Sequence, residues 1–528
     1  MRAPVIRRLR RIAAKAGLGV LRDIFLDLEV ISRSSLHAFG RGTTATASRL
    51  RPLPPFLGDP HQWVQLEDRV DRPGDATFGW DALRRRAAAR VPLTEASIPT
   101  FDAGSTEINW SSTANLAGGP QLSDPPSRYV MCDARNLVVD FDRLYPTLTT
   151  RHRPWHKRGP GRQYHRYRAG ALRGACHWSP AFRLDAMPRD LLRDIFGSFR
   201  PWTGDPAIAY DEIVEHPVLF VTREGDESRN AFHAMTDFLN AFETILTANH
   251  AAPAVARQDL EIVLLDNAPP GWLDPLWTQI FAPHRGVRRV GDFAGRRVLF
   301  RHAIFSPPGY QSFLFAYLTG DNAPPEPVGM LDAFVALVLR SFGLPPVAPR
   351  DSGPLRITFI SRRPYDRDIA STSGSARASS DYISRRVTNE AACVEALTAI
   401  GGVDVRLIDF ARHPLAEQLR IARDTDILIG IHGAGLTHLL WTPPHAGLLE
   451  IAPFIRPGVF TSGPRAGMDW TLWRVFPNLA RWTGRPHAGI ECIEQAVENG
   501  TEVTIDVERL TAAARARVTQ VRRRGSIK

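Results

Sequence analysis

Asp426-Ile-Leu-Ile-Gly-Ile-His-Gly-Ala-Gly-Leu-Thr-His-Leu-Leu-Trp441 carries an apolar strand into a glycine-rich turn that opens a helix. Gly433 and Gly435 let backbone N–H groups approach a ligand, and a helix N-terminus favours negative charge. This is how α/β folds hold a pyrophosphate at the carboxyl edge of a sheet, the alternative being an ordinary tight strand-to-helix turn. The glycine order, G-x-x-G-x-G from Gly430, is not the dinucleotide fingerprint G-x-G-x-x-G, which argues against a nicotinamide cofactor. Ile357-Thr-Phe-Ile-Ser-Arg-Arg363 sets Arg362 and Arg363 just past a second strand, where guanidinium forks can grip phosphate oxygens, the alternative being a solvated loop charge. Glu450, in Gly-Leu-Leu-Glu-Ile, is a lone acid in an apolar strand, suited to ribose hydroxyls or to capping the sheet edge. Two arginines and an acid around a glycine turn are what a nucleoside diphosphate needs.

A second constellation lies upstream. Asn230, His233, Asp237, Asn240 and Thr244 recur at spacings of three and four, forming one polar stripe on a predicted helix over 230–246. Phe232, Met235, Phe238, Leu239, Phe242 and Ile245 fill the opposite face. Short hydrogen-bonding side chains, rather than Lys or Glu, point to the wall of a polar cleft, with satisfaction of neighbouring loops as the structural alternative. His233 and Asp237, at i and i+4, are candidates for a base or an acceptor-orienting pair. Two D-x-D patterns, Asp140-Phe-Asp142 and Asp424-Thr-Asp426, are of the kind that holds a divalent ion with a donor phosphate. Because the second leads directly into a buried strand, Asp426 reads as a strand-entry residue, and no metal is predicted.

The elements that must position these groups alternate cleanly in the C-terminal part. Strands are predicted at Leu355–Ser361, Val403–Asp409, Asp426–Ile431 and Gly447–Ile451, with helices at Asn389–Ile400, Pro414–Arg423 and from Leu436. Continuous apolar strands alternating with helices indicate a parallel sheet covered on both faces. Upstream, strand-like runs occur at Val218–Thr222, Glu261–Leu265 and Arg297–Phe300. The 528 residues exceed one ordinary core, and the proline-rich Leu344-Pro-Pro-Val-Ala-Pro349 serves as punctuation. The division expected is 1–128, a basic helix and a variable Pro/Gly/Ser-rich region; 129–343, an acceptor-side Rossmann-like domain; and 344–528, the donor-binding Rossmann-like domain with its tail. Residues 1–30 read as an amphipathic helix able to rest on a membrane surface or on the protein itself.

The net charge of +11 comes mainly from arginine and suits phosphorylated ligands, anionic lipid or nucleic acid. No zinc-finger spacing, RNP-like motif or heptad basic region accompanies it, so no nucleic-acid partner is expected. Cys132, Cys176, Cys393 and Cys492 are far apart and show no CxxC spacing; long-range disulfides and buried free thiols both remain open. Asn109-Trp-Ser and Asn499-Gly-Thr fit the short glycosylation acceptor pattern. No run reaches the roughly 18 apolar residues of a membrane-spanning helix, and no signal peptide is visible.

Across roughly residues 129–455 several ordered blocks together resemble glycosyltransferase family 61, and within it the branch of EGF-domain-specific O-linked N-acetylglucosamine transferases. The blocks are Cys132-Asp-Ala-Arg-Asn-Leu, Glu215-His-Pro to Asn240 with its Asn-x-x-His-x-x-x-Asp core, and Arg297–Phe305. They continue with Ile360-Ser-Arg362, Arg386-Val-Thr-Asn-Glu390 and His432-Gly-Ala-Gly-Leu-Thr-His438 followed by Leu-Glu-Ile. The resemblance implies an inverting GT-B type enzyme with two Rossmann-like domains facing a cleft. It would use a UDP-sugar as co-substrate, with no cofactor and no catalytic metal. It places Arg362, His432, Gly433 and Gly435 at the donor, with Asn389, Glu390 and Glu450 beside them; Arg363 and Thr437, on the same two loops, complete the expected donor-binding set. His233 and Asp237 fall on the acceptor-side helix as the catalytic candidates, flanked by Asn230 and Asn240. The expected partners are a UDP-sugar and a protein or glycan hydroxyl, the sugar being GlcNAc or a pentose such as xylose. The rival readings are a noncatalytic nucleotide-sugar-binding relative and a basic membrane- or nucleic-acid-associated scaffold. Three features depart from the family. They are a Ser-rich insertion at 369–382, the absence of a visible signal despite the family's ER and Golgi setting, and the absence of a C-terminal retention signal.

Overall fold

The computed structural model describes residues 90–96, 105–111, 131–148, 163–179, 191–202, 208–223, 230–251, 259–266, 268, 270–306, 329–344, 353–362, 383–454, 475–497 and 500–525. The expected N-terminal helix, Arg363, the 369–382 insertion and Asn499 lie outside them. The described chain is mixed α/β and separates into two compact units, one covering 90–306 and the other 329–525.

The first unit is built on a mixed sheet. Its strands are β1 (Arg90–Pro92), β2 (Glu107–Ser111), β3 (Met131–Asp140), β4 (Glu212–Val221), β5 (Glu261–Leu264), β6 (Val287–Arg289) and β7 (Arg297–Ser306). They lie in the order β1-β2-β3-β7-β4-β5-β6, and two short strands, Leu172–Gly174 and Arg200–Pro201, branch from β3. Strands β7, β4, β5 and β6 run parallel, while β3 meets β7 antiparallel. A Rossmann-like sheet was expected here; only half of the observed sheet has that character. Helix α1 (Ala231–Ala251) follows β4 and packs on the sheet. On the other side of the strands Phe141 stacks on Phe293 at 3.9 Å, and Phe220 on Phe305 at 4.8 Å, within one apolar cluster. Cys132 and Cys176 are buried and not joined in a disulfide, as are Cys393 and Cys492 of the other unit.

The second unit contains α2 (Gly329–Ser341), β8 (Leu355–Ile360), β9 (Ile383–Val387), α3 (Glu390–Thr398), β10 (Val403–Ile408), α4 (Leu415–Arg423) and β11 (Ile427–Ile431). It continues with β12 (Gly447–Phe454), α5 (Val475–Trp482), β13 (His487–Val497), β14 (Gly500–Val503) and α6 (Val507–Gly525). Helix α2 precedes the proline-rich run yet belongs with this unit, where Phe334 lies 6.2 Å from Trp441. The division therefore falls ahead of α2, because an apolar helix goes with the core it packs on and not with the nearest proline.

The sheet order is β9-β14-β13-β12-β11-β8-β10, with β10, β8, β11, β12 and β13 all parallel. Every residue of β11 is buried, as a strand covered on both faces requires. Taken in chain order, the five parallel strands are arranged 2-1-3-4-5. The chain reverses its direction of travel between β8 and β11, and a doubly wound sheet binds ligands in the crevice at that point.

Candidate donor and acceptor sites

The loops leaving β8 and β11 meet at this switch point. After β8, the buried Glu390 carboxylate accepts from Ser361 Oγ (3.1 and 2.9 Å) and from the Arg362 backbone N–H (2.8 Å), fixing the direction in which Arg362 departs. After β11, His432 hands over to Gly433 and a 3₁₀ helix, Ala434–Trp441. Arg362 Nη1 donates to the His432 carbonyl at 3.3 Å. A Cβ on Gly433 would sit 2.6 Å from that same nitrogen, so the missing side chain is the room the guanidinium occupies.

Arg385, a residue outside the sequence-based selection, reaches the same carbonyl through Nη1 at 2.6 Å. It lies on β9 at the far edge of the sheet order, where its register with β14 shifts. A serine-rich stretch ahead of it and an arginine neighbour after it conceal this role in the sequence; only the strand pairing reveals it.

His432 is held from behind. Its Nδ1 lies 2.6 Å from Glu450 Oε1, and His487 Nε2 lies 2.8 Å from Glu450 Oε2. The Phe476 ring stands edge-on to the imidazole at 5.1 Å. Each Glu450 oxygen is engaged by an imidazole, so in this geometry the carboxylate acts first on His432 and His487. Burial alone would push Glu450 up, but the two imidazole hydrogen bonds and charges outweigh it and draw the carboxyl down to about 2.

The depressed carboxyl has a consequence for acid stability. Ionised Glu450 contributes fully above its ordinary value of 4.5, and the contribution is lost as the pH falls through about 2. A shift of this size corresponds to about 3 kcal/mol. Calorimetry between pH 5 and 2 should show a steeper loss of Tm for the wild type than for Glu450→Gln. Parallel curves for the two proteins would show that Glu450 carries no such linkage.

Other expected donor-side residues hold the frame. Asn389 clamps the Ile505 backbone, donating to its carbonyl at 2.8 Å and accepting its N–H at 3.0 Å. Thr437 is 2% exposed, and its hydroxyl has no hydrogen-bond partner among the described residues. A Cβ on Gly435 would lie 3.4 Å from Ile360, an ordinary contact, so this glycine is not demanded by packing. His438 stacks on Phe410 at 3.7 Å and is pinned between the Gly435 carbonyl and Gln418. Burial, only partly opposed by the Gly435 carbonyl, pushes its imidazole down to about 4, leaving it neutral at pH 7. Asp426 accepts from the Arg356 N–H and pairs with buried His445 at 2.8 Å, which suits a strand-entry residue.

In the first unit the carboxyl ends of β4, β5, β6 and β7 also collect polar groups. Arg223, just past β4, donates to Asp266 through Nε (3.0 Å) and Nη2 (2.7 Å), and to Asp274 through Nη1 (2.7 Å). Arg289 completes the lattice on Asp274 at 2.7 Å. Burial works against the Arg223 charge, but Asp266, Asp274 and Asp237 outweigh it and hold the guanidinium protonated. A crevice beside this lattice is lined by Arg223, Asp237, Phe238, Asp274 and Trp277.

Helix α1 differs from the simple two-faced picture. Asn230 is its N-cap, accepting the Phe232 N–H at 3.0 Å. Positions 234–248 are buried all round the helix, polar stripe included. Asn240 donates to Ser306 Oγ at 3.3 Å, and the Thr244 hydroxyl lies equally close to it, at the end of β7. Asn240 and Thr244 therefore tie the helix to the sheet, while Asp237 faces the crevice and half-buried His233 sits one turn earlier.

Residues 231–449, from the start of α1 into β12, match the model of the family described as Glycosyltransferase 61. The chain is 28% identical over 418 residues to the EGF domain-specific O-linked N-acetylglucosamine transferase of Drosophila melanogaster, covering 76% of this chain and 72% of that protein. It is 30% identical over 246 residues to the protein of the same description from Rattus norvegicus, covering 46% and 41%. The Beta-1,2-xylosyltransferase of Arabidopsis thaliana is 26% identical over 348 residues, covering 59% and 60%. The matched part thus spans less than half of the rat relative's length. Residues 231–449 thus match a glycosyltransferase 61 domain, and the relatives support the chain as a glycosyltransferase.

Proposed function

We propose that the chain moves a sugar from a UDP-sugar to a hydroxyl group of a protein or glycan, with inversion at the sugar carbon and no catalytic metal. The convergence of an arginine, a glycine turn and a carboxylate-backed histidine at the switch point of the second unit carries this reading. The second unit binds the donor diphosphate and the first presents the acceptor, the division of labour of a GT-B enzyme. Asp237 takes the proton from the acceptor hydroxyl. The acceptor oxygen forms its bond to the sugar C1 as the bond from C1 to the diphosphate oxygen breaks, and the electron pair leaves on UDP. Arg362 and the backbone N–H groups at Gly433–Gly435 stabilise the charge that develops there. The names of the relatives make N-acetylglucosamine and xylose the first sugars to offer.

The test is a thermal shift and calorimetric titration of the purified protein with UDP, UDP-GlcNAc, UDP-xylose and NAD, each with EDTA present. Stabilisation by the UDP compounds alone is the expected result, and the sugar that stabilises most should also be the one released or transferred. A cooperatively melting protein indifferent to every UDP compound would overturn the donor assignment.

A further inference from the structure

We propose that His487 is a positioning residue for His432, acting through Glu450: it ties down one carboxylate oxygen so that the other stays on the His432 ring. Its effect on nucleotide binding rests on the donor-site reading above. His432 leaves β11, Glu450 lies on β12 and His487 opens β13, three neighbouring parallel strands. Glu450 carries one imidazole on each oxygen, His432 Nδ1 at 2.6 Å from Oε1 and His487 Nε2 at 2.8 Å from Oε2. His487 is not opposite Glu450 in the ladder; its partner there is Leu448, and Gly489 faces Glu450. The His487 ring therefore leans along its strand to reach the carboxylate. A Cβ on Gly489 would lie 3.9 Å from His487 Cε1, so a side chain longer than alanine would crowd the ring.

The terminal torsion of a glutamate is broad and two-fold, so a carboxylate held at one oxygen can turn. Held at both, it cannot. Glu450 is 3% exposed, which leaves water little access to replace a lost partner. The His487 side chain is 21% exposed against 9% for His432, so His487 is the ring that meets solvent. Around His432 stand Glu450 and, behind it, His487, from β12 and β13, with Arg362 and Arg385 at its carbonyl and the Phe476 ring of α5. Two imidazoles thus share one negative charge. Removing His487 leaves that charge to His432 alone, which then keeps a proton to higher pH.

The experiment follows the His432 and His487 ring signals by NMR titration, and UDP binding by calorimetry at about pH 6 and pH 8. It compares the wild type, His487→Leu, His487→Gln, and Glu450→Gln with and without His487→Leu. The His432 midpoint should rise by about one pH unit in His487→Leu. It should stay near the wild-type value in His487→Gln, whose amide still donates to Oε2. Without the Glu450 carboxylate, the leucine change should move His432 no further. A protonated ring favours the diphosphate, so the gain in UDP affinity from pH 8 to pH 6 should be about 3-fold larger in His487→Leu. Should leucine prevent folding, two other observations decide: a slowly exchanging His487 ring N–H in the wild type, and wild-type titration of His432 in His487→Gln. A His432 midpoint unmoved in a folded His487→Leu, or moved equally in His487→Gln, overturns the role of His487. The expected His432 response in a protein indifferent to UDP leaves that role standing and overturns the donor assignment.

Discussion

Alanine at position 362 is expected to weaken UDP binding by about 10- to 100-fold, the worth of one or two hydrogen bonds from a charged donor. The fold should survive. Glu390 holds the backbone N–H of residue 362 and the Ser361 hydroxyl, neither of which the substitution removes. What disappears is the guanidinium in the space left by Gly433. Turnover should fall further than binding, because the leaving diphosphate gains charge as the sugar departs. Calorimetry for UDP and initial rates for transfer test both parts, with Tm as the control for folding. Normal affinity and turnover in a protein that melts like the wild type would remove Arg362 from the site.

Asparagine at position 237 should instead leave UDP binding unchanged and lower kcat by about 10²- to 10⁴-fold, the usual contribution of a general base. The change is nearly isosteric and takes place at a side chain only 3% exposed, so packing is preserved while the proton acceptor is lost. Arg223 is locked by Asp266 and Asp274 and keeps two strong partners in the variant. His233 is the competing base, and the pH profile separates the two. An imidazole base leaves a limb between about pH 5 and 8, and that limb disappears in His233→Gln. Unchanged kcat in Asp237→Asn at saturating donor and acceptor assigns the proton transfer elsewhere.

The parallel half of the second unit was legible because its strands are continuous apolar runs. Ile427–Ile431 has no polar residue on either face, a pattern that only a doubly covered strand explains. The glycine turn and Arg362 could be placed at one sheet edge for the same reason: both follow such strands. Glu450 shows where the reading stops. Its isolation in an apolar strand is visible in the sequence, but its imidazole partners are 18 and 37 residues away and meet it only through sheet order. Arg385 was missed on the same ground, since β9 pairs with a strand whose sequence lies more than a hundred residues on. In helix α1 the spacing of Asn240 and Thr244 marked one face, yet their partner Ser306 follows 62 to 66 residues later. A polar stripe looks the same whether it faces a cleft or a buried serine.

Helix α6 covers strands that precede it by up to about 150 residues. Leu510, Ala514, Val518 and Val521 belong to the core that includes Ile357 and Ile429. Arg522 reaches back 120 residues to the Gly402 carbonyl, and Arg524 reaches back 40 to that of Gly484. On a ribosome, strands β8 to β12 therefore emerge with one apolar face lacking its final cover. At ~5–20 residues per second, that face waits on the order of ten seconds for α6 to be synthesised. During this interval the nascent second unit is a natural client for chaperones, and a pause in translation ahead of residue 507 prolongs its exposure. The proposed donor site is thus assembled from residues made early but secured by residues made late, and a lesion in α6 is expected to reach it without touching it.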